Sequence, residues 1–219
     1  MSYSGKVKVG GPVDTRELGG AVISKLAVGP GHNNVYLVRD RSTGTALLID
    51  AADEADRVVE LAALGGETAK SVLTTHQHGD HWQALAAVVA RTGARTLAGE
   101  PDAAGIPVPT DRRLHHGDVV HVGDLELRAI HLRGHTPGSI ALYYRDADGS
   151  QHLFTGDSLF PEGVGKTWSP EDFQQLIADV SDRIFDVYDD EVWFYPGHGD
   201  DSTLGAERPQ LDEWRSRGW

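Results

Sequence analysis

The stretch Lys70-Ser71-Val72-Leu73-Thr74-Thr75-His76-Gln77-His78-Gly79-Asp80-His81 decides how this chain is read. Lys70–Thr75 reads as a short buried strand. It runs directly into His76, His78, Asp80 and His81, four ligand-type side chains within six residues. A continuous helix cannot aim all four at one point, whereas a turn can, and Gly79 supplies the freedom for a tight bend. Imidazole nitrogens with carboxylate oxygens suit a divalent cation, zinc first, with iron or manganese also accommodated. A structural surface turn seldom assembles so many convergent ligands.

Working outward, three further ligand types stand on similar turns. His135 lies in Gly134-His135-Thr136-Pro137-Gly138, Asp157 in Thr155-Gly156-Asp157, and His198 in Tyr195-Pro196-Gly197-His198-Gly199. Each is expected at a strand end beside glycine, where a rigid sheet can hold a functional loop. Taken singly, each would read as an ordinary polar residue; the shared context makes them candidate ligands. The other six histidines (His32, His115, His116, His121, His131 and His152) lack that context and read as surface or strand residues.

The rest of the chain alternates between periods of two and 3.6. Strands are expected at Ala21–Val28, Asn34–Arg39, Thr45–Ile49, Arg95–Ala98, Val119–Val122, Leu125–Leu132, Ser139–Arg145, Gln151–Thr155 and Glu191–Tyr195. Asp53 is expected to cap a helix running to about Leu64. A second helix is expected over Asp80–Arg91, and Pro101–Pro109 reads as a loop. Ser169, Pro170 and Asp172 form a variant capping box ahead of an apolar stripe of Phe173, Leu176, Ile177, Val180, Ile184 and Phe185. Strands fall in two halves, each with helices. That organisation predicts one α/β domain over residues 1–219, two sheets face to face with helices outside, a four-layer αββα sandwich; an ordinary doubly wound sheet is the alternative pattern.

Composition narrows the function classes. A formal net charge of −13 and the absence of any Lys/Arg cluster argue against nucleic acid as a partner. No apolar run approaches the roughly 20 residues of a membrane span, and Met1-Ser2-Tyr3-Ser4-Gly5 does not read as a signal peptide, so a cytoplasmic enzyme with no membrane partner is expected. There is no cysteine, which excludes disulfides, thiolate ligands and cysteine nucleophiles. Gly165-Lys166-Thr167 ends like a phosphate-binding loop, but Phe160 stands where the earlier glycine is required, so nucleotide binding is rejected.

His-x-His-x-Asp-His, followed in order by His135, Asp157 and His198, resembles the metallo-β-lactamase superfamily over nearly the whole chain. The resemblance implies that His76, His78 and His135 hold one metal, that Asp80, His81 and His198 hold a second, and that Asp157 bridges both. Within the superfamily the antibiotic-hydrolysing branches lack an aspartate at the bridging position. The nearest likeness is to glyoxalase II, the hydroxyacyl-thioester hydrolases, in a short form without the C-terminal helical domain. It is carried by Gly134-His135-Thr136-Pro137-Gly138-Ser139, Thr155-Gly156-Asp157-Ser158-Leu159-Phe160 and Pro196-Gly197-His198-Gly199. Gly163-Val164-Gly165-Lys166 matches a Gly-x-Gly-basic stretch whose basic side chain meets a thiol cofactor's carboxylate, while Thr167-Trp168-Ser169-Pro170 departs from the usual run. The implied chemistry is attack by a metal-bridging hydroxide on a small-molecule thioester. Asp80 would orient the nucleophile, and Lys166, Trp168 and Phe160 would contact substrate. Mononuclear-iron persulfide oxidation and lactone or phosphodiester hydrolysis are the rival reactions on the same fold. Ligand histidines usually donate their second N–H, and Asp50, ending a neighbouring strand, is the candidate acceptor.

Overall fold

The computed structural model describes residues 3–218. Met1 and Ser2, part of the N-terminal run considered above, and Trp219 lie outside the described residues. The first half contains strands β1 (Asp14–Glu17), β2 (Ala21–Val28), β3 (Asn33–Asp40) and β4 (Ala46–Ile49), helix α1 (Ala55–Ala62), β5 (Ser71–Thr74), helix α2 (Leu85–Thr92), β6 (Arg95–Gly99) and β7 (Arg112–Leu114). The second half contains β8 (Val119–Val122), β9 (Leu125–His131), β10 (Ile140–Arg145), β11 (Gln151–Gly156), a two-stranded hairpin β12 (Leu159–Phe160) and β13 (Gly163–Val164), helix α3 (Pro170–Val180), β14 (Trp193–Pro196), β15 (Ser202–Thr203), α4 (Leu204–Glu207) and α5 (Leu211–Arg217).

Strands β1 to β7 lie in sequence order in one seven-stranded sheet, and the second sheet has the order β15-β14-β11-β10-β9-β8. Pairing is antiparallel from β1 to β4, then parallel through β5, β6 and β7. In the second sheet β11 and β14 are parallel neighbours. The period of two sets the layers. Along β3, Tyr36 and Val38 face the other sheet, while Val35 and Leu37 face the helices. The inter-sheet core joins these to Leu47, Ile49, Leu127, Leu142 and Phe154. A second apolar layer packs α1 and α2 on the first sheet through Val58, Leu61, Leu85 and Val88. A third packs α3 and α5 on the second sheet through Phe173, Leu176, Val180 and the buried Trp214. The fold is the expected αββα sandwich.

The Ser169 cap also forms as read. Ser169 Oγ accepts from the Asp172 backbone N–H at 3.1 Å and donates to the Asp172 carboxylate at 2.8 Å. Three local expectations need correction. Glu54, not Asp53, takes the N-cap position of α1, in a left-handed conformation with φ 47°, and Asp53 instead accepts from the Glu54 N–H. The helix expected over Asp80–Arg91 is split into a 3₁₀ turn, Gly79–His81, and α2 from Leu85, because Asp80 and His81 point to the site and not along a common apolar stripe. The loop expected over Pro101–Pro109 begins as a 3₁₀ segment, Glu100–Gly105.

Candidate metal centre

The ligand-type residues gather because their turns leave one edge of the sandwich. Asp50 follows β4, the His76–His81 turn follows β5, Asp157 follows β11 and His198 ends the turn after β14; His135 sits on the connection from β9 to β10. These are carboxyl ends of strands, where side-chain-bearing loops converge over a fixed sheet edge.

Two donor clusters form there. His76 Nε2, His78 Nδ1 and His135 Nε2 are 3.0 to 3.2 Å apart. That spacing is close to the roughly 3.3 Å edge expected for tetrahedral nitrogen ligands at about 2.05 Å from a metal. Asp80 Oδ2 lies 3.6 Å from His81 Nε2 and 3.4 Å from His198 Nε2. Asp157 stands between the clusters: Oδ1 is 3.4 Å from His81 Nε2, and Oδ2 is 3.4 Å from His198 Nε2 and 3.7 Å from His135 Nε2.

On four of the five rings the far side fixes which nitrogen points inward. His81 Nδ1 donates to Asp50 Oδ2 at 2.8 Å, His135 Nδ1 to the Lys166 carbonyl at 2.7 Å, and His198 Nδ1 to the Gly31 carbonyl at 2.8 Å. His76 Nδ1 donates to Thr75 Oγ1 at 3.1 Å, and that hydroxyl donates onward to Asp50 Oδ2 at 2.9 Å. With Nδ1 of these four rings turned outward, each Nε2 faces the centre. Asp50 therefore organises both clusters, and it holds a positive φ of 58° to do so.

This donor set fits divalent cations by its own chemistry. Asp157 Oδ1 is buried and receives no hydrogen bond among the described residues, and three ring nitrogens of the first cluster face one another across about 3 Å. A Cβ added at Gly197 would fall 2.1 Å from Asp157 Oδ1, so this glycine keeps the space open. Burial, then the charge of His81, pushes the pKa of His76 well below the ordinary value. Burial works to raise Asp157, but His81 and the hydrogen bond from His198 outweigh it and hold the carboxyl well below its usual range. A metal takes neutral imidazoles and ionised carboxylates, as at His76 and Asp157; burial works to lower His81 and His198, but Asp157, joined at His81 by Asp50, holds both above the ordinary histidine value, so an ion at the second cluster would displace protons.

The residues expected to contact substrate lie beside the two clusters. Trp168 is 64% exposed, unusual for so large an apolar side chain, and its ring centroid is 6.1 Å from that of His78. Lys166 Nζ stacks on Trp168, 4.4 Å from its centroid. Phe160 lies on the opposite flank, 6.4 Å from His198.

Several contributors were not legible beforehand. Asp102, fully buried in the 3₁₀ segment, accepts from Gln77 N, Thr136 Oγ1 and Gly138 N, and so ties the first histidine turn to the His135 turn. Asn33, Thr75 and two backbone carbonyls (Gly31 and Lys166) also touch the site. Carbonyls carry no sequence signal, and a lone acidic residue in a loop reads as surface. Gly79, expected to permit the bend, has no positive φ, and a Cβ there would meet only Trp82 at 3.7 Å.

The family model of the Metallo-beta-lactamase superfamily matches residues 28–198, a span that holds every one of these donors. The chain belongs to the metallo-beta-lactamase superfamily. Among superfamily members, it is 35% identical over 179 residues to a hydroxyacylglutathione hydrolase of Polaromonas sp. (strain JS666 / ATCC BAA-500), covering 81% of this chain and 66% of that protein. It is similar to the crystal structure of ETHE1 from Myxococcus xanthus, with TM-score 0.75, 29% identity and coverage of 89% and 84%. It is also similar to TTHA1623 solved in a di-iron-bound form, with TM-score 0.70, 30% identity and coverage of 84% and 96%. The chain spans only about half to two thirds of the length of the curated relatives it matches, 51% in one case and 66% in another. No helix among the described residues is long and apolar enough to cross a membrane.

Proposed function

We propose that this superfamily member is a metal-dependent hydrolase acting on a hydroxyacyl thioester. The observation that carries the reading is the pair of donor clusters sharing Asp157, each inward Nε2 set by a hydrogen bond on its Nδ1. In this reading His76, His78 and His135 hold one ion, Asp80, His81 and His198 a second, and Asp157 both. Zinc suits the donors, and iron is an equal candidate given the relative solved with two irons. Two such ions, when bound, would supply a hydroxide near neutral pH and polarise a carbonyl.

The chain's own groups would do the rest. Asp80, with its side chain 43% exposed, is the carboxylate of the set that reaches the opening, and it would hold the attacking water by its proton. The acyl carbon gains the water's oxygen, the C–S bond breaks and the thiol leaves. Trp168 offers an aromatic plate beside His78, and the Lys166 ammonium resting on it would meet a carboxylate of the thiol carrier. On a chain of net charge −13, that local cation offsets the repulsion of an anionic substrate. Support comes from the site geometry and from the hydroxyacylglutathione hydrolase relatives.

The test is metal content on protein isolated without added metal, followed by turnover of S-lactoyl-type thioesters against lactone and phosphodiester panels. About two ions per chain with selective thioester cleavage is the expected result. One iron per chain, with oxygen uptake on a persulfide and no hydrolysis, would overturn it.

A further inference from the structure

Both clusters cross the boundary between the sheets in the same way. His76 and His78, and likewise Asp80 and His81, stand on the turn after β5 of the first sheet. Each pair is completed by one histidine of the second sheet: His135 from the connection between β9 and β10, and His198 from the turn after β14. His135 Nε2 comes within 3.0 Å of His78 Nδ1, and His198 Nε2 within 3.4 Å of Asp80 Oδ2. A donor set drawn from two sheets keeps its spacing to the required ~0.5 Å only if the turns are held together across the gap. Beside each crossing histidine lies a fully buried charged side chain from the first-sheet half. Asp102, in the segment after β6, accepts from Gln77 N at 3.0 Å on one turn, and from Thr136 Oγ1 at 2.6 Å and Gly138 N at 2.7 Å on the other. Lys25, on β2, donates to the Gly199 carbonyl at 2.8 Å and to Asp201 Oδ1 at 2.6 Å, both on the connection that carries His198, and to the Gly5 carbonyl at 2.7 Å. Three acceptors around Nζ call for the three N–H groups of an ammonium. Burial lowers the pKa of Lys25 and raises that of Asp201, and their mutual attraction opposes both shifts. Asn34 Nδ2 also reaches the Gly199 carbonyl, at 2.9 Å.

A buried ion pair adds little net stability over apolar side chains of the same volume, so its use here is placement. We propose that Asp102 and Lys25 are two separate positioning residues, Asp102 for the first cation position through the His135 turn and Lys25 for the second through the His198 turn. None of their hydrogen bonds reaches a ligand side chain. Each acts through the backbone that carries a histidine, so the two positions can be weakened one at a time. The inference rests on the two-position reading above.

The experiment follows the ring nitrogens of His135 and His198 by ¹⁵N magnetic resonance while metal-free protein is titrated with chelator-buffered Zn²⁺. The two midpoints report the two positions separately, and thioester turnover does not enter the readout. Wild type is compared with Asp102→Asn, whose NH₂ must face one of the three donors, and with Lys25→Met combined with Asp201→Asn, which leaves no lone buried charge. Thr136→Val and Lys25→Gln, milder changes, serve if either of these does not fold. The Asp102 variant is expected to raise the Zn²⁺ needed at the His135 midpoint about tenfold and to move the His198 midpoint less, with the order reversed in the Lys25 variant. Midpoints that move equally, in the opposite order or not at all overturn the inference, since a general loss of stability would act on both. A wild-type His198 ring that never responds to Zn²⁺, while His135 does, also overturns it, and by that signature identifies the two-position reading as the part that failed.

Discussion

Asp50 Oδ2 accepts the Nδ1 proton of His81 at 2.8 Å, with the two side chains 2% and 0% exposed. The same carboxylate takes the Thr75 N–H at 2.7 Å and the Thr75 hydroxyl at 2.9 Å. Three donors thus converge on one carboxylate, and through Thr75 it orients His76 as well as His81.

Asp50→Asn removes one acceptor while keeping shape, and asparagine tolerates the positive φ found there. Its NH₂ must face one of the three donors, which displaces His81 or Thr75. Metal affinity is expected to fall roughly 10–100-fold with the fold retained. Competition against a chelating indicator, with circular dichroism as the folding control, measures this. Undiminished affinity would remove Asp50 from the support of the centre.

His78→Ala and Asp157→Ala each delete a donor that no apolar layer depends on. Turnover is expected to fall to background in both, with near-native thermal unfolding. Chelation of the wild type should reproduce the loss, and added metal should restore activity to wild type but not to the variants. Activity retained in either variant contradicts the proposed ligand set.

Lys166→Ala should raise KM roughly fivefold for a thioester whose thiol carries a carboxylate, the scale of one exposed ion pair, and leave an uncharged thioester unaffected. Trp168→Ala should raise KM for both substrates, because it removes the plate as well as the surface that Lys166 rests on. Steady-state kinetics on the two substrates at low and high salt separates these outcomes. Equal effects of Lys166→Ala on both substrates would place the lysine outside substrate recognition.

Away from the centre, His152 is fully buried between Tyr195 and Ser150, and burial, followed by the charge of Arg16, lowers its pKa from 6.5 to about 4. Between those values the unfolded chain binds a proton that the folded chain refuses. The stability from keeping His152 neutral is therefore complete above pH 6.5 and is lost as pH falls toward about 4. Denaturant unfolding of metal-loaded protein across this window should show a steeper acid loss in wild type than in His152→Gln. Identical slopes would assign the acid sensitivity to other groups.

The sequence by itself determined the layers and the seven residues that the fold gathers into two clusters. Period-two and period-3.6 patterns need only local chemistry, so β2, β8 and the Ser169-capped start of α3 were legible to the residue, while Ile184 and Phe185 at the end of its stripe fall in a π-helical turn, Ser181–Phe185. His76, His78, Asp80 and His81 were legible because unlike ligand types crowd one turn, and His135, Asp157 and His198 because each stands beside glycine at a strand end. Tertiary structure alone decided what surrounds them. The stapling by Asp102, the carbonyls of Gly31 and Lys166, and the approach of Asn33 to Asp80 join residues 25 to 167 positions apart, through backbone groups or single polar side chains. Such contacts leave no period or spacing in the chain. They exist only once two sheets have packed and brought their strand ends to one edge, and there the two carbonyls decide which nitrogen of His135 and of His198 faces the centre.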